Sequence, residues 1–204
     1  SDIAHGAGVV KLERVQLAVA NRVVVGDLSG GGTNPASSSQ GTLNLIESEV
    51  VLNKFDVARI TTGTQGTVTG KVILDSTLVS VDGAMTLGPL ATLEFGLSGL
   101  SRADGTGGAG QYSAIDSDNS LLAGQLQVTL LDGFVPSVGN SFSIISGPTV
   151  GTFSSEVLPL LPAGRIWDVL YSPTGVTLTV NSGLSADFNH DGSVNGLDLQ
   201  IWQG

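Results

Sequence analysis

Residues 187–198, DFNHDGSVNGLD, have the residue types and the spacing of a twelve-residue calcium-binding loop. Such a loop places oxygen-bearing side chains at positions 1, 3, 5, 9 and 12, a glycine at position 6 and a backbone carbonyl ligand at position 7. Those ligand positions are occupied here by Asp187, Asn189, Asp191, Ser193, Asn195 and Asp198. Calcium takes six to eight oxygen ligands, and this spacing wraps them around one ion. We therefore predict a Ca²⁺ site at these six residues.

The end of this loop departs from the usual pattern, which closes with Glu. Asp198 has a shorter side chain and would coordinate the ion less completely. Gly192 occupies the position of the sharp turn, and His190 occupies a position that supplies no ligand. A helix is predicted over residues 197–203. The alternative interpretation is an Asx-rich turn that caps this helix without binding metal.

Other acidic residues are weaker candidates for chemistry. Residues 116–120, DSDNS, would hold a second cation or form a solvated loop. Glu47 with Glu49, or Asp75 with Asp82, would form the carboxylate pair that cleavage of a polysaccharide requires. Since Glu47 and Glu49 stand at a predicted turn, we interpret them as solvated acids. The sequence thus predicts no catalytic residues and a non-enzymatic protein.

The composition of the 204 residues excludes several classes of protein. The net charge is −10, with 8 Lys and Arg against 18 acids, which argues against binding nucleic acid. There is no cysteine, so thiolate metal sites, disulfides and Cys nucleophiles are excluded. No apolar run reaches about 18 residues, so no membrane span is predicted. A hydrophobic fraction of 41% indicates a folded chain.

An internal repeat organises the first half of the chain. Residues 70–88, GKVILDSTLVSVDGAMTLG, contain three short apolar segments separated by Asp, Ser and Gly, which favour turns. The same pattern occurs in residues 41–59, and a weaker copy in residues 15–27. Gly41 precedes Gly70 by 29 residues, and Ser48 precedes Ser76 by 28. Repeats of this length stack to bury their apolar faces, which predicts a β-solenoid.

The repeat also predicts which residues face inward and what lies at its ends. Four apolar residues should be buried between turns of the coil: Leu74, Val79, Val81 and Leu87. A strand at residues 9–15 would cover the open N-terminal end with Val10, Leu12 and Val15. Residues 29–40, SGGGTNPASSSQ, would be a linker or a loop ejected from one turn of the coil.

The C-terminal half has a different pattern. Residues 125–131 alternate apolar and polar side chains, and Asp132-Gly133 is a hairpin-type turn. A strand at 91–97 precedes this segment, and further strands follow at 142–145, 166–171 and 176–180, with a turn at 172–175. We predict an all-β chain with three parts. These are a short β-solenoid at 1–97, a mostly antiparallel β cap at 98–180, and a C-terminal calcium loop and helix at 181–204.

These motifs resemble those of known protein families. The calcium loop with its closing Asp198, followed by Leu199, Ile201 and Trp202, resembles the first half of a type I dockerin repeat. The repeats of residues 15–88 resemble autotransporter-associated β-strand repeats of large secreted bacterial proteins. Residues 125–180 resemble the cap between such repeats and a dockerin-like or PEP-CTERM-type tail. The resemblance implies an extracellular, surface-displayed structural or adhesive protein.

Two functions follow from these expectations. The first is a structural subunit of a surface fibre or array, with a calcium-stabilised tail. It would associate head-to-tail with itself, or with other surface proteins, because the N-terminal strand and the tail are left unpaired. The alternative is a polysaccharide-binding or polysaccharide-degrading module that uses the long face of the solenoid. For the unpaired ends, a second explanation is that both continue into further domains of a longer chain.

Overall fold

The computed structural model describes residues 5–28, 36–61, 64–108 and 110–183, together with positions 196 and 200. The elements in these ranges are strands. In chain order they are β1 (His5–Glu13), β2 (Gln16–Leu28), β3 (Ser38–Ile46), β4 (Glu49–Ile60), β5 (Thr67–Asp75), β6 (Leu78–Leu87), β7 (Ala91–Leu97), β8 (Ser101–Arg102), β9 (Gln111–Tyr112), β10 (Ala114–Leu122), β11 (Gln125–Leu130), β12 (Ser141–Ser146), β13 (Thr149–Gly151), β14 (Ser155–Val157), β15 (Arg165–Ser172) and β16 (Gly175–Ser182).

The chain winds into a β-solenoid of about five turns. Each turn contributes one strand to each of two sheets, so neighbouring strands in a sheet come from successive turns. The first sheet has the order β1-β3-β5-β7-β11-β14, and the second has the order β2-β4-β6-β10-β12-β16-β15. Pairing is parallel from β1 to β14 and from β2 to β12. The predicted β-solenoid is therefore confirmed.

The predicted repeat coincides with the register of the sheets. Leu43 pairs with Val72, and Gly41 pairs with Gly70, across the 29-residue period. In the second sheet Phe55 pairs with Met85. The weaker N-terminal copy also stacks, since β2 pairs with β4 along both of its segments. β3 begins at Ser38 and stacks in parallel between β1 and β5, so residues 38–40 are part of the coil; the rest of the predicted linker or loop, residues 29–35, lies outside the described residues.

Two details of the repeat differ from the prediction. Ser48 stacks on Thr77 and not on Ser76, because Ile46 pairs with Asp75 and the register continues from there. The second and third apolar segments of each unit also form one strand instead of two. A register shift between Leu52 and Phe55 bends this strand at a bulge, so no separate turn is needed.

The core runs along the axis of the coil between the two sheets. The predicted core residues are all buried: Leu74, Val79, Val81 and Leu87. Parallel register places inward side chains of successive turns on top of one another, as Leu45, Leu74 and Phe95 do. Fully burying one such side chain contributes about 1.5–3 kcal/mol. A single turn would leave these faces open, so stability depends on stacking.

The predicted antiparallel cap is wrong over most of its length. In the C-terminal half, β11 pairs in parallel with β7, β12 with β10, and β14 with β11, so the coil continues to residue 157. Among the described strands, antiparallel pairing is found in the β15–β16 hairpin, which extends the second sheet through β12, and in a single residue pair between β7 and β9. Alternation of apolar residues indicates that one face of a strand is buried, and it carries no information on the direction of the neighbouring strand.

The turns around the hairpin match the prediction in part. The turn at residues 172–175 joins β15 to β16, with Ser172 paired to Gly175. Asp132-Gly133 also forms a turn, but the chain leaves it for the other sheet, so it makes no hairpin. Under the hairpin, Phe142 packs edge-on against Tyr112 at 5.3 Å between ring centroids and contacts Trp167 at 6.1 Å. These rings close the C-terminal end of the core.

Candidate functional site

The six predicted calcium ligands lie outside the described residues. These are Asp187, Asn189, Asp191, Ser193, Asn195 and Asp198. The Ca²⁺ site therefore stays a prediction, as does the helix over residues 197–203. In the described ranges no group of three or more His, Asp or Glu side chains is placed to hold a metal ion. The alternative cation site at residues 116–120 has Asp116 engaged by Arg102, with contacts of 2.6 and 3.1 Å.

The carboxylates proposed as catalytic pairs have other partners. Glu47 forms an ion pair with Arg14, and Glu49 accepts a hydrogen bond from Gln16. Burial raises the pKa of Asp75, as do the nearby charges of Asp132 and Glu47, while a hydrogen bond from Ser76 opposes the shift. Asp82 lines a separate surface cleft with Asp116 and Asp118. Asp75 and Asp82 are therefore not brought together at one site.

The glycine-rich loop after β8 packs against the side of the coil. A Cβ on Gly105 would lie 2.6 Å from the Cβ of Glu49, and one on Gly107 would lie 3.1 Å from that of Glu47. Hydrogen bonds from Thr106 and Gln111 lower the pKa of Asp104 to about 2. These contacts give the loop a packing role, because Gly105 and Gly107 allow it to approach the coil closely.

The positive charges of the chain are largely paired. Six of the eight Lys and Arg side chains form ion pairs with carboxylates. The guanidinium of Arg165 donates instead to the carbonyl of Pro136 at 2.6 Å. The described surface therefore has little free positive charge to attract an anionic ligand, and the excess of acids sets its potential.

The N-terminal end of the coil is open. Among the described residues β1 pairs with β3 alone and β2 pairs with β4 alone, so each is the outermost described strand of its sheet. A cavity of about 360 Å³ opens between the two edges, lined by side chains that include Val10, Leu12, Leu17, Val23 and Phe55. Its lining is almost entirely apolar. An apolar concavity bordered by two unpaired strand edges is a surface suited to β-strand addition.

The predicted covering of this end does not occur. β1 stacks on β3 as one more turn of the coil, with Val9 paired to Thr42. Val10 and Leu12 consequently line the wall of the cavity instead of crossing it. Val9 is 76% exposed and Val10 is 52% exposed. A strand that continues the coil leaves its own outer edge free, so it moves the open end by one turn and does not close it.

A ladder of hydrogen bonds at one corner of the coil ends at the same place. The amide of Val15 donates to the hydroxyl of Ser48 at 3.2 Å, that of Ser48 to Thr77 at 3.2 Å, and that of Thr77 to Ser113 at 3.3 Å. Each buried amide thus finds a hydroxyl in the next turn. Val15 has no hydroxyl, so the ladder has no acceptor for a turn stacked in front of it.

The C-terminal end of the described coil is built differently. β14 offers an edge of only three residues in the first sheet. In the second sheet the outermost strand is β15, which runs antiparallel to its neighbour and leaves Ile166 and Leu170 exposed. The two ends of the molecule therefore differ in strand length and in strand direction.

Sequence comparisons do not relate this chain to known proteins. No protein-family model matches it, and no curated protein sequence matches it. The resemblances to dockerin and autotransporter-associated repeats accordingly stay predictions. Within the described residues there is no helix long and apolar enough to cross a membrane. The residues of the cavity wall in the second sheet, such as Leu17 and Val23, were predicted as strand residues, but the sequence pattern does not show that they line a cavity.

Proposed function

We propose that this protein is an extracellular structural or adhesive β-solenoid, a subunit of a surface fibre or array with a calcium-stabilised C-terminal tail. The open N-terminal end carries the proposal, because two unpaired strand edges and an apolar cavity coincide there. A coil of this kind gains stability when another strand pairs with its edge. The tail of residues 184–204 supplies the second junction.

The lateral faces of the coil favour this role over the polysaccharide alternative. Sugar-binding surfaces commonly stack sugar rings on exposed aromatic side chains, yet in the described ranges every Phe, Tyr and Trp is buried or half-buried. The carboxylates on the corners are paired with Arg14, Gln16 and Arg102, as described above. A scaffold with paired surface charges and buried aromatics suits a structural function.

Calcium should stabilise the tail in the proposed function. Extracellular calcium loops bind with dissociation constants of about 10⁻⁴–10⁻³ M. At a free calcium concentration of 100 times Kd, binding stabilises the folded tail by about 2.7 kcal/mol. We expect isothermal titration calorimetry of the full chain to show one site in this range, and Asp187→Ala combined with Asp191→Ala to abolish it.

The matched control replaces two exposed carboxylates outside both candidate cation sites, Asp132→Ala with Asp168→Ala, and should leave the calorimetric titration unchanged. This control has the same change in net charge, so it separates site-specific coordination from general attraction of calcium to an acidic protein. Absence of heat of binding in the wild-type protein at millimolar calcium would remove calcium from the proposed function.

A further inference from the structure

We propose that the open N-terminal end pairs with the same end of a second copy of this chain, head-to-head around a two-fold axis. This inference rests on the proposed function in one respect, since it specifies the partner at one junction of the assembly. It replaces the head-to-tail contact that the sequence predicts. The β15–β16 hairpin of each copy then lies at an outer end of the pair.

The hydroxyl ladder disfavours a parallel partner. A turn of a second copy stacked in parallel before β1 and β2 would place a corner amide over Val15. That amide would have no hydroxyl acceptor, whereas Ser48, Thr77 and Ser113 provide one at the next three turns. A buried donor without a partner costs free energy, so the first turn is not built to receive a parallel neighbour.

A two-fold partner avoids this problem because it reverses the winding of the coil. Each edge strand then meets the second copy antiparallel. β1 pairs with the partner copy's β1, and the two segments of β2 on either side of its bulge, 16–19 and 22–28, pair with each other. Antiparallel pairing is slightly more stable per residue than parallel pairing. The strand lengths match because the two edges are the same element.

The C-terminal end offers no comparable match. There β14 presents three residues against the nine of β1, and β15 belongs to a hairpin that breaks the parallel pattern. A head-to-tail contact would leave most of the edge of β1 unpaired. Within the part of the chain that the structure describes, the edge of β1 is matched in length by the same edge of a second copy and not by the C-terminal end.

Side chains along the edge are compatible with self-association. Residues 6–10 of β1, GAGVV, carry no charge and no proline, the usual features that block an edge strand. The first turn, residues 5–28, holds three cations and two carboxylates, a net charge of +1 in a chain of net charge −10. Two copies can therefore approach through this turn without the repulsion that their acidic bodies would otherwise cause.

Full overlap of β1 with its copy places Val9 on the two-fold axis. Positions 5 and 13 are equidistant from residue 9, so a register centred there pairs the entire strand. Val9 is the most exposed valine in the described structure, and pairing would bring it beside the same side chain of the second copy, which reduces its exposure to water. Opposed residues in an antiparallel pair have Cα atoms about 4.5–5.5 Å apart, within the range that a disulfide bridges.

The absence of cysteine makes this geometry testable with single substitutions in the full chain. Val9→Cys should convert to a covalent dimer under mild oxidation, since a head-to-head pair brings two copies of residue 9 together. Leu170→Cys is the matched control: it is also an exposed strand residue, but on the C-terminal hairpin, and should stay largely uncrosslinked. A second variant, Val9→Lys, places two like charges at the axis and should weaken dimerisation tenfold or more, about 1.4 kcal/mol.

The outcomes separate this inference from the proposed function. A Val9→Cys dimer together with weakened association of Val9→Lys supports head-to-head pairing. Covalent species that form only when Val9→Cys and Leu170→Cys are present together would show head-to-tail contact, which overturns the pairing and leaves the proposed function standing. A protein that forms no crosslink and stays monomeric by light scattering at high concentration would overturn both.

Discussion

Leu74→Ala should lower the free energy of unfolding by about 2–5 kcal/mol, because it opens a cavity at the centre of the stacked core. Leu74 is fully buried, and its register neighbours Leu45 and Phe95 are also buried. Neither neighbouring turn can collapse onto the void without breaking its own sheet register. Chemical denaturation followed by circular dichroism would measure the loss.

Leu160→Ala is the control for this substitution. Leu160 is 97% exposed, so the same change in side chain should alter the free energy of unfolding by less than about 0.5 kcal/mol. If Leu74→Ala also cost less than about 0.5 kcal/mol, the side chain of Leu74 would face solvent, and the register of β5 between β3 and β7 would be wrong.

Gly70→Ala should destabilise the protein by about 3 kcal/mol or more, since the added methyl group meets backbone atoms that cannot move aside. A Cβ at this position would lie 2.6 Å from the amide nitrogen of Ala58 and would also collide with the carbonyl oxygen of Val25. Here the two sheets approach each other at a corner of the coil. The thermal unfolding midpoint of the variant should fall accordingly.

Gly8→Ala provides a matched control in the same column of the first sheet. Gly8 pairs with Gly41, which pairs with Gly70, but a Cβ on Gly8 would have no atom within 4 Å. We expect an unchanged or slightly raised midpoint, because alanine restricts the unfolded chain more than glycine does. If the thermal unfolding midpoint fell equally for the two variants, both positions would require the backbone freedom of glycine. Close packing at Gly70 would then not be the cause of its destabilisation.

The sequence predicts the coil well because its signal is periodic. Three apolar segments recur with 29 residues between Gly41 and Gly70, and parallel stacking requires equivalent residues to lie above one another. The strand at residues 91–97 and the hairpin turn at 172–175 are also found correctly. Each of these features depends on local residue types, which the sequence displays directly.

The direction of pairing in the C-terminal half was beyond sequence reasoning. An alternating strand such as β11 buries one face in either a parallel or an antiparallel sheet, and its partner is set by contacts distant in sequence. The residues around Ser101 and Gln111 also interrupt the period, because an additional loop packs on the coil there before the next turn starts. Loss of the period suggested a new domain where the structure shows a continuing coil.

Only part of the candidate site at the N-terminal end could be predicted from the sequence. A strand at residues 9–15 that could pair with another chain follows from its position before the first repeat. The end of the hydroxyl ladder at Val15 could not be predicted from the sequence, because Ser48 and Thr77 are recognised as equivalent only once the register of the strands is known. The cavity likewise depends on how β1 and β2 stack on the next turn, a property of the folded coil and not of any single segment.

Light scattering coupled to size-exclusion chromatography of residues 1–204 tests the proposed subunit function most directly. In a chelator we expect a species of two chains, held by the N-terminal ends and increasing with protein concentration. With millimolar calcium we expect larger species, because the ordered tails add the second junction. A strict monomer at high concentration in both conditions would contradict the proposal that this β-solenoid is a subunit of a fibre or array.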